Sequence, residues 1–297
     1  MPPTAFPYEY TNESRSRNGG CLGTVVGSDH RSDRFRLMFN RRTLSSELEA
    51  VREAHVPDAQ VVDCARDFET LPPAQAEDLG LLADTLDPMS YPSEWLPDDA
   101  PTLLSRYAGS EFTIGMPGDG SVVWTRQTDP PTVIVKARVE GSPEPFVEFL
   151  IAEAFVELDL GVPEHFLGFF EAAYQDLNDA VALDPGGTYQ VAAALYDGWV
   201  GLQSRDVFAA WQDDHPELAD AWHDAGTRLE DRVADLPGAV ARGETEFADA
   251  TELACAGIKH AIELPVPYAA LETDAYRSHG PAYAIQWAEK TFDSLAE

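Results

Sequence analysis

The sequence predicts an α+β protein, with a small antiparallel sheet of about three strands within residues 111–139 packed against a mostly helical C-terminal half. Three observations carry that expectation. Short β-rich runs separated by turn residues occupy 111–139, and beyond Ser142 apolar residues recur at helical spacing. The 297-residue chain, 44% hydrophobic with six tryptophans, can also bury a sizeable core.

Residues 1–37 carry five arginines, four acids and clusters of Ser, Asn and Gly without a hydrophobic period, the pattern of a disordered tail, so Met38 is a candidate translation start. Residues 38–297 should form a single globular domain, with a subdomain boundary expected near 140–185. The signal Ser46-x-x-Glu49 opens a helix. "AQVVDCA" at 59–65 reads as a strand, and a helix is expected over 74–86. "DPMSYPSEWLPDDAP" at 87–101 has four prolines, which rule out regular structure and suggest a packed connection pinned by Tyr91 and Trp95.

Strands at 111–116, 121–127 and 132–139 are joined by "PGDG" and "TDPP". If Gln127 pairs with Thr132, one face collects Val122, Trp124, Val133 and Val135 with Arg126 at its rim, and the other holds Val123, Ile134, Lys136 and Arg138. Ser142 is the expected N-cap of a helix that is apolar around most of its circumference from Phe146 to Leu158. Further helices are expected near 188–203, 205–213, 216–234, 247–262 and 281–295.

Fifty-two acids stand against twenty bases, only three of them lysines, for a formal net charge of −32. At molar ionic strength the Debye length falls to about 3 Å, so such a surface is tolerable in a salt-rich cytoplasm and points to a halophile. The same charge argues against nucleic acid and anionic membranes as partners. The longest uncharged run, 185–196, is too short to span a bilayer. Cys21, Cys64 and Cys255 are widely spaced and odd in number, which indicates neither a disulfide framework nor a thiolate metal site. The seven histidines show no helical zinc spacing.

One arrangement suggests phosphoryl transfer: Gly115, Gly118 and Gly120 in a hairpin, Lys136 on the following strand, and Glu148 or Glu153 on the next helix. No catalytic-loop aspartate with a downstream asparagine follows, nor a metal-binding aspartate behind an apolar strand, and Pro117 removes a donor from the glycine loop. A divergent or degenerate kinase-like phosphotransferase is therefore the second expectation. Arg126, Lys136 and Arg138 lie within thirteen positions of one another and form the expected ligand-binding patch, suited to an anionic small molecule or an acidic protein segment. No catalytic residue, metal or cofactor is assigned.

The segments "DFETLPP" (67–73), "GMPGDGSVVWTRQTDPPTVIVKARVEGSP" (115–143) and "FADATELACAGIKH" (247–260) resemble a family of uncharacterised haloarchaeal proteins that carries a domain-of-unknown-function label. The resemblance covers residues 38–297 and implies a source without implying an activity. The leading expectation is a non-enzymatic cytoplasmic binding or interaction protein.

Overall fold

The computed structural model describes residues 38–296, apart from residues 69, 72, 110–113 and 116–119. The expectations for residues 1–37 lie outside the described residues.

The first strand, β1 (Phe39–Arg41), leads into α1 (Ser46–His55), whose N-cap is Ser45 rather than the expected Ser46; the Ser45 hydroxyl accepts from the Leu48 N–H at 3.3 Å. Strand β2 (Gln60–Cys64) and helix α2 (Pro73–Leu79) follow, the helix ending well short of the predicted residue 86. The short β3 (Thr85–Leu86) precedes the proline-rich connection, in which Tyr91 and Leu96 pack against the core. Then come α3 (Thr102–Ala108), β4 (Val122–Thr125), β5 (Thr128–Asp129) and β6 (Thr132–Val135).

The α+β class holds, but the main sheet is four-stranded and mixed, in the order β1-β2-β6-β4, and β3 pairs with β5 in a separate ribbon. Strand β2 runs parallel to β6 with Val61 beside Val133, while β1 and β4 are antiparallel edges. The predicted 111–116 strand survives among the described residues only as an isolated bridge between Ile114 and Leu71. Strands β4 and β6 form the expected antiparallel pair, but Thr125, not Gln127, stands opposite Thr132. Because the shift is two residues, each side chain keeps its predicted face.

Both faces are covered. Val61, Trp124, Val133 and Val135 enter the main core, whereas Val62, Val123 and Ile134 join a second cluster with Phe68, Leu71, Leu79 and Ile114. The expected polar face is thus a buried one, because Phe68, Leu71 and the α2 residues Ala76 and Leu79 supply an apolar cover that lies outside the predicted strand ribbon.

The helical half starts with α4 (Glu144–Leu160), buried around most of its girth as expected; Pro143, rather than Ser142, is its N-cap. It stops at Gly161, whose φ of 70° is open to glycine at little cost. Next are α5 (Phe166–Phe170), α6 (Tyr174–Ala180) and α7 (Pro185–Asp214). The last is one continuous helix of 30 residues where two were expected. At the predicted break, the Ser204 hydroxyl donates back to the Val200 carbonyl at 3.1 Å, so the serine is accommodated inside the helix. Helices α8 (Pro216–Ala234), α9 (Leu236–Ala241), α10 (Phe247–Ile258), α11 (Asp274–His279) and α12 (Pro281–Ala296) complete the fold.

Helices α7 and α10 pack closely through glycines of α7. A Cβ on Gly198 would come within 3.0 Å of Ile258, and one on Gly201 within 3.0 Å of the Lys259 backbone nitrogen. Among the described residues no helix is long and apolar enough to cross a membrane.

Candidate functional site

The three predicted cations do not converge. Arg126 lies on the α4 side of the sheet, where its guanidinium donates to the carbonyls of Val162 (2.8 Å), Glu157 (3.3 Å) and Leu158. It therefore caps the carboxyl end of α4, where the helix dipole favours positive charge. Its carbon also stacks 4.8 Å from the centre of the Trp124 ring. Burial lowers the Arg126 pKa, partly offset by Glu164.

Lys136 and Arg138 occupy the other face together. Lys136 is fully buried, with Nζ 4.8 Å from the centre of the Phe68 ring. Arg138 Nε donates to both Asp67 carboxylate oxygens, at 2.9 and 2.7 Å, and its Nη2 reaches the Phe68 carbonyl.

The kinase-like pairing of Lys136 with a glutamate of α4 is not formed. Glu153 is held by Lys259, whose Nζ lies 2.8 and 3.1 Å from its two carboxylate oxygens. Glu148 lies on the α1 and α8 side of its helix, where its charge helps raise the Glu47 pKa, after burial and Glu217. The sheet separates Lys136 from α4, because Lys136 follows Val135 and points to the Ile134 side.

A cavity of about 360 Å³ opens instead on the Trp124 side, between β4 and helices α4, α7 and α10. Glu153 and Glu157 reach it from one face of α4, being four residues apart. Tyr196 and Asp197 come from α7, Cys255 and Glu252 from α10, and Lys259 from the turn after α10. That turn is fixed from outside: Trp222 Nε1 donates to the Lys259 carbonyl at 2.9 Å, and Arg205 binds Glu272 at 2.8 Å while reaching the Ile258 carbonyl. Gly115 and Gly120, two of the three glycines of the predicted hairpin, also border the cavity; Gly118 lies outside the described residues.

Glu157 is the distinctive group. Its carboxylate accepts from Trp124 Nε1 at 2.5 Å and forms no ion pair among the described residues. Burial, reinforced by the charge of Glu153, pushes its pKa up to about 8, although the Trp124 hydrogen bond and the Lys259 charge oppose this. Burial also acts to lower the Lys259 pKa, but the charge and hydrogen bond of Glu153, with Glu157 and Asp197, outweigh it and leave the ammonium raised. Glu164 is satisfied by Gln127 Nε2 at 2.7 Å and the Arg126 N–H at 3.1 Å. Burial raises the thiol of Cys255 far above its ordinary range, which suits a packed hydrophobe and not a nucleophile.

Sequence reasoning missed this site. Its signals were two carboxylates at i, i+4 on an otherwise apolar helix and one of the three lysines just beyond another apolar helix. Among the described residues no group of three or more His, Cys, Asp or Glu side chains is placed to hold a metal ion.

No curated protein and no solved structure matches the chain. A family model does match, over residues 38–295, and by that match the chain belongs to a family of unknown function, DUF7089.

Proposed function

We propose that this protein is a non-catalytic binding protein that takes a small molecule into the cavity between β4, α4, α7 and α10. The observation that supports this reading is the cavity itself, about 360 Å³, large enough for a small organic ligand and walled by both apolar and charged groups. Val122, Leu150, Ala154, Val200 and Ala256 offer apolar contact, and Glu153, Glu157 and Lys259 offer fixed charges. The cationic patch of Arg126, Lys136 and Arg138 fits a ligand site less well, since Arg126 serves the end of α4 and Arg138 serves Asp67. A phosphotransferase reading loses support with the pairing of Glu153 to Lys259. The net charge of −32 supports a salt-rich cytoplasm as the working environment.

The test is a thermal-shift screen at high potassium chloride against small amines, acids, polyols and nucleotides with magnesium, on the wild type and on Ala256→Phe, which fills the cavity. A ligand at a hundred times its Kd contributes about 2.7 kcal/mol, or roughly 5–10 °C in Tm for a body of this size. The proposal expects a compound that shifts the wild type and leaves Ala256→Phe unmoved; Val200→Phe gives a second blocked variant should the first misfold. Equal shifts in both proteins, or none from the whole panel, overturn it. A shift by magnesium nucleotide that Lys136→Ala abolishes overturns it in favour of the phosphotransferase.

A further inference from the structure

We infer that the ligand is a small organic cation, a primary or substituted ammonium, whose charge pairs with Glu157; this rests on the cavity being the binding site. Glu157 faces the cavity with a single hydrogen-bond donor, Trp124 Nε1, and no cationic partner among the described residues. It also sits in the last turn of α4, where the helix dipole disfavours negative charge and favours positive.

The surroundings deepen that deficit. The titratable and charged groups around Glu157 are Glu153 on its own helix, Asp197 and Tyr196 on α7, Cys255 and Glu252 on α10, Glu164 beyond α4, Lys259, and Arg126, whose guanidinium is spent on the carbonyls of Glu157, Leu158 and Val162 and does not line the cavity. Among the described residues Lys259 is the single cation lining the cavity, and Glu153 binds it through both oxygens. An incoming anion would meet a surplus of carboxylates, whereas an incoming ammonium would relieve it.

An organic body, not a bare metal ion, is indicated by the apolar part of the wall and by the lack, among the described residues, of three side chains placed to ligate a metal. The ammonium would donate to the Glu157 carboxylate while its hydrocarbon lies against Val200, Leu150 and Ala154.

The exchange has a proton balance. With its pKa raised to about 8, Glu157 holds a proton near neutrality, and an ammonium must displace it to pair with the carboxylate. One proton therefore leaves for each cation bound, and affinity rises with pH until the unoccupied Glu157 is itself ionised.

The probes are n-butylamine and 1,4-diaminobutane, with 1-butanol and butyrate as neutral and anionic counterparts of similar length. Calorimetry in two buffers of different ionisation enthalpy counts the protons released. The inference expects both amines to bind more tightly than 1-butanol or butyrate. It expects release of about one proton per amine near pH 7, and Kd falling about tenfold per pH unit between pH 6 and 7.5. Glu157→Gln, which keeps an acceptor for Trp124, should weaken amine binding at least tenfold and abolish the proton release; circular dichroism confirms that it folds.

Stronger binding of butyrate or 1-butanol, blocked by Ala256→Phe, overturns the cationic ligand and leaves the cavity as a binding site. Amine binding equally strong in Glu157→Gln, or without proton release, overturns the role of Glu157. Binding of none of these probes, alongside an empty thermal-shift screen, overturns both.

Discussion

Replacing Lys259 by methionine keeps most of the side chain's volume and removes its charge, which isolates the worth of its pairing with Glu153. The ammonium contacts both carboxylate oxygens, and the side chains are 28% and 11% exposed respectively. Breaking a fully buried pair costs about 3–5 kcal/mol, because the orphaned charge stays desolvated, whereas an exposed pair is worth about 0–1 kcal/mol. The low exposure of Glu153 puts the loss nearer the first figure, and partial hydration of Lys259 reduces it. The expected destabilisation is about 2–4 kcal/mol, a fall in Tm of roughly 5–12 °C.

Glu153→Gln on the same background removes the stranded charge and should restore about half of the loss or more. Urea unfolding of the four proteins of this cycle measures it. The pH dependence supplies a second sign. The Lys259 pKa is raised in the folded protein above its ordinary 10.5, so its stabilisation is present below that value and lost as the pH climbs through the folded value. The alkaline limb of wild-type stability should therefore flatten in Lys259→Met. A loss under about 0.5 kcal/mol, or strict additivity of the two substitutions, would refute this account of the pair.

Four more outcomes follow from the same geometry. Arg126→Met should cost about 2–3 kcal/mol in urea unfolding by stripping the carbonyls at the end of α4 of their donors, and Arg126→Lys should recover little, because one ammonium cannot span the carbonyls of both Glu157 and Val162. Gly201→Ala should destabilise by about 1–3 kcal/mol, since the new methyl meets the Lys259 backbone at 3.0 Å; a neutral result would show that α7 and α10 can part freely. Glu157→Gln should stabilise the empty protein above pH 8 by about 2–4 kcal/mol and flatten its stability between pH 4.5 and 8, the window in which the unfolded carboxyl ionises while the folded one keeps its proton. Arg138→Ala, which breaks a half-exposed pair with Asp67, should change stability by less than about 1 kcal/mol apart from its Phe68 carbonyl contact, and a loss above 3 kcal/mol would contradict that.

What the sequence disclosed was local. The apolar girth of α4, the 216–234 helix and the faces of β4 and β6 are written in spacing alone, and they hold even where the register moved by two residues. Strand β1 was hidden because three residues, Phe-Asn-Arg, offer no alternation to read; only pairing with β2 makes them a strand. The parallel match of Gln60–Asp63 with Thr132–Val135 spans some seventy residues, a distance over which periodicity is silent. The same limit concealed the cavity. Glu153 was noticed for its proximity in sequence to Lys136, yet its partner lies 106 residues away. Charge counting does not tell how a cation is employed, since a guanidinium near a helix end is as apt to serve backbone carbonyls as a ligand.

Through Arg126, the sheet and the end of α4 are joined by one planar ion that stacks on Trp124 and grips the backbone beside Glu157. The two walls that carry the Trp124 indole and the Glu157 carboxylate are consequently one mechanical body. A guest would find donor and acceptor already aligned, so the ordering cost of its capture would fall on the guest's own torsions and hardly at all on the host.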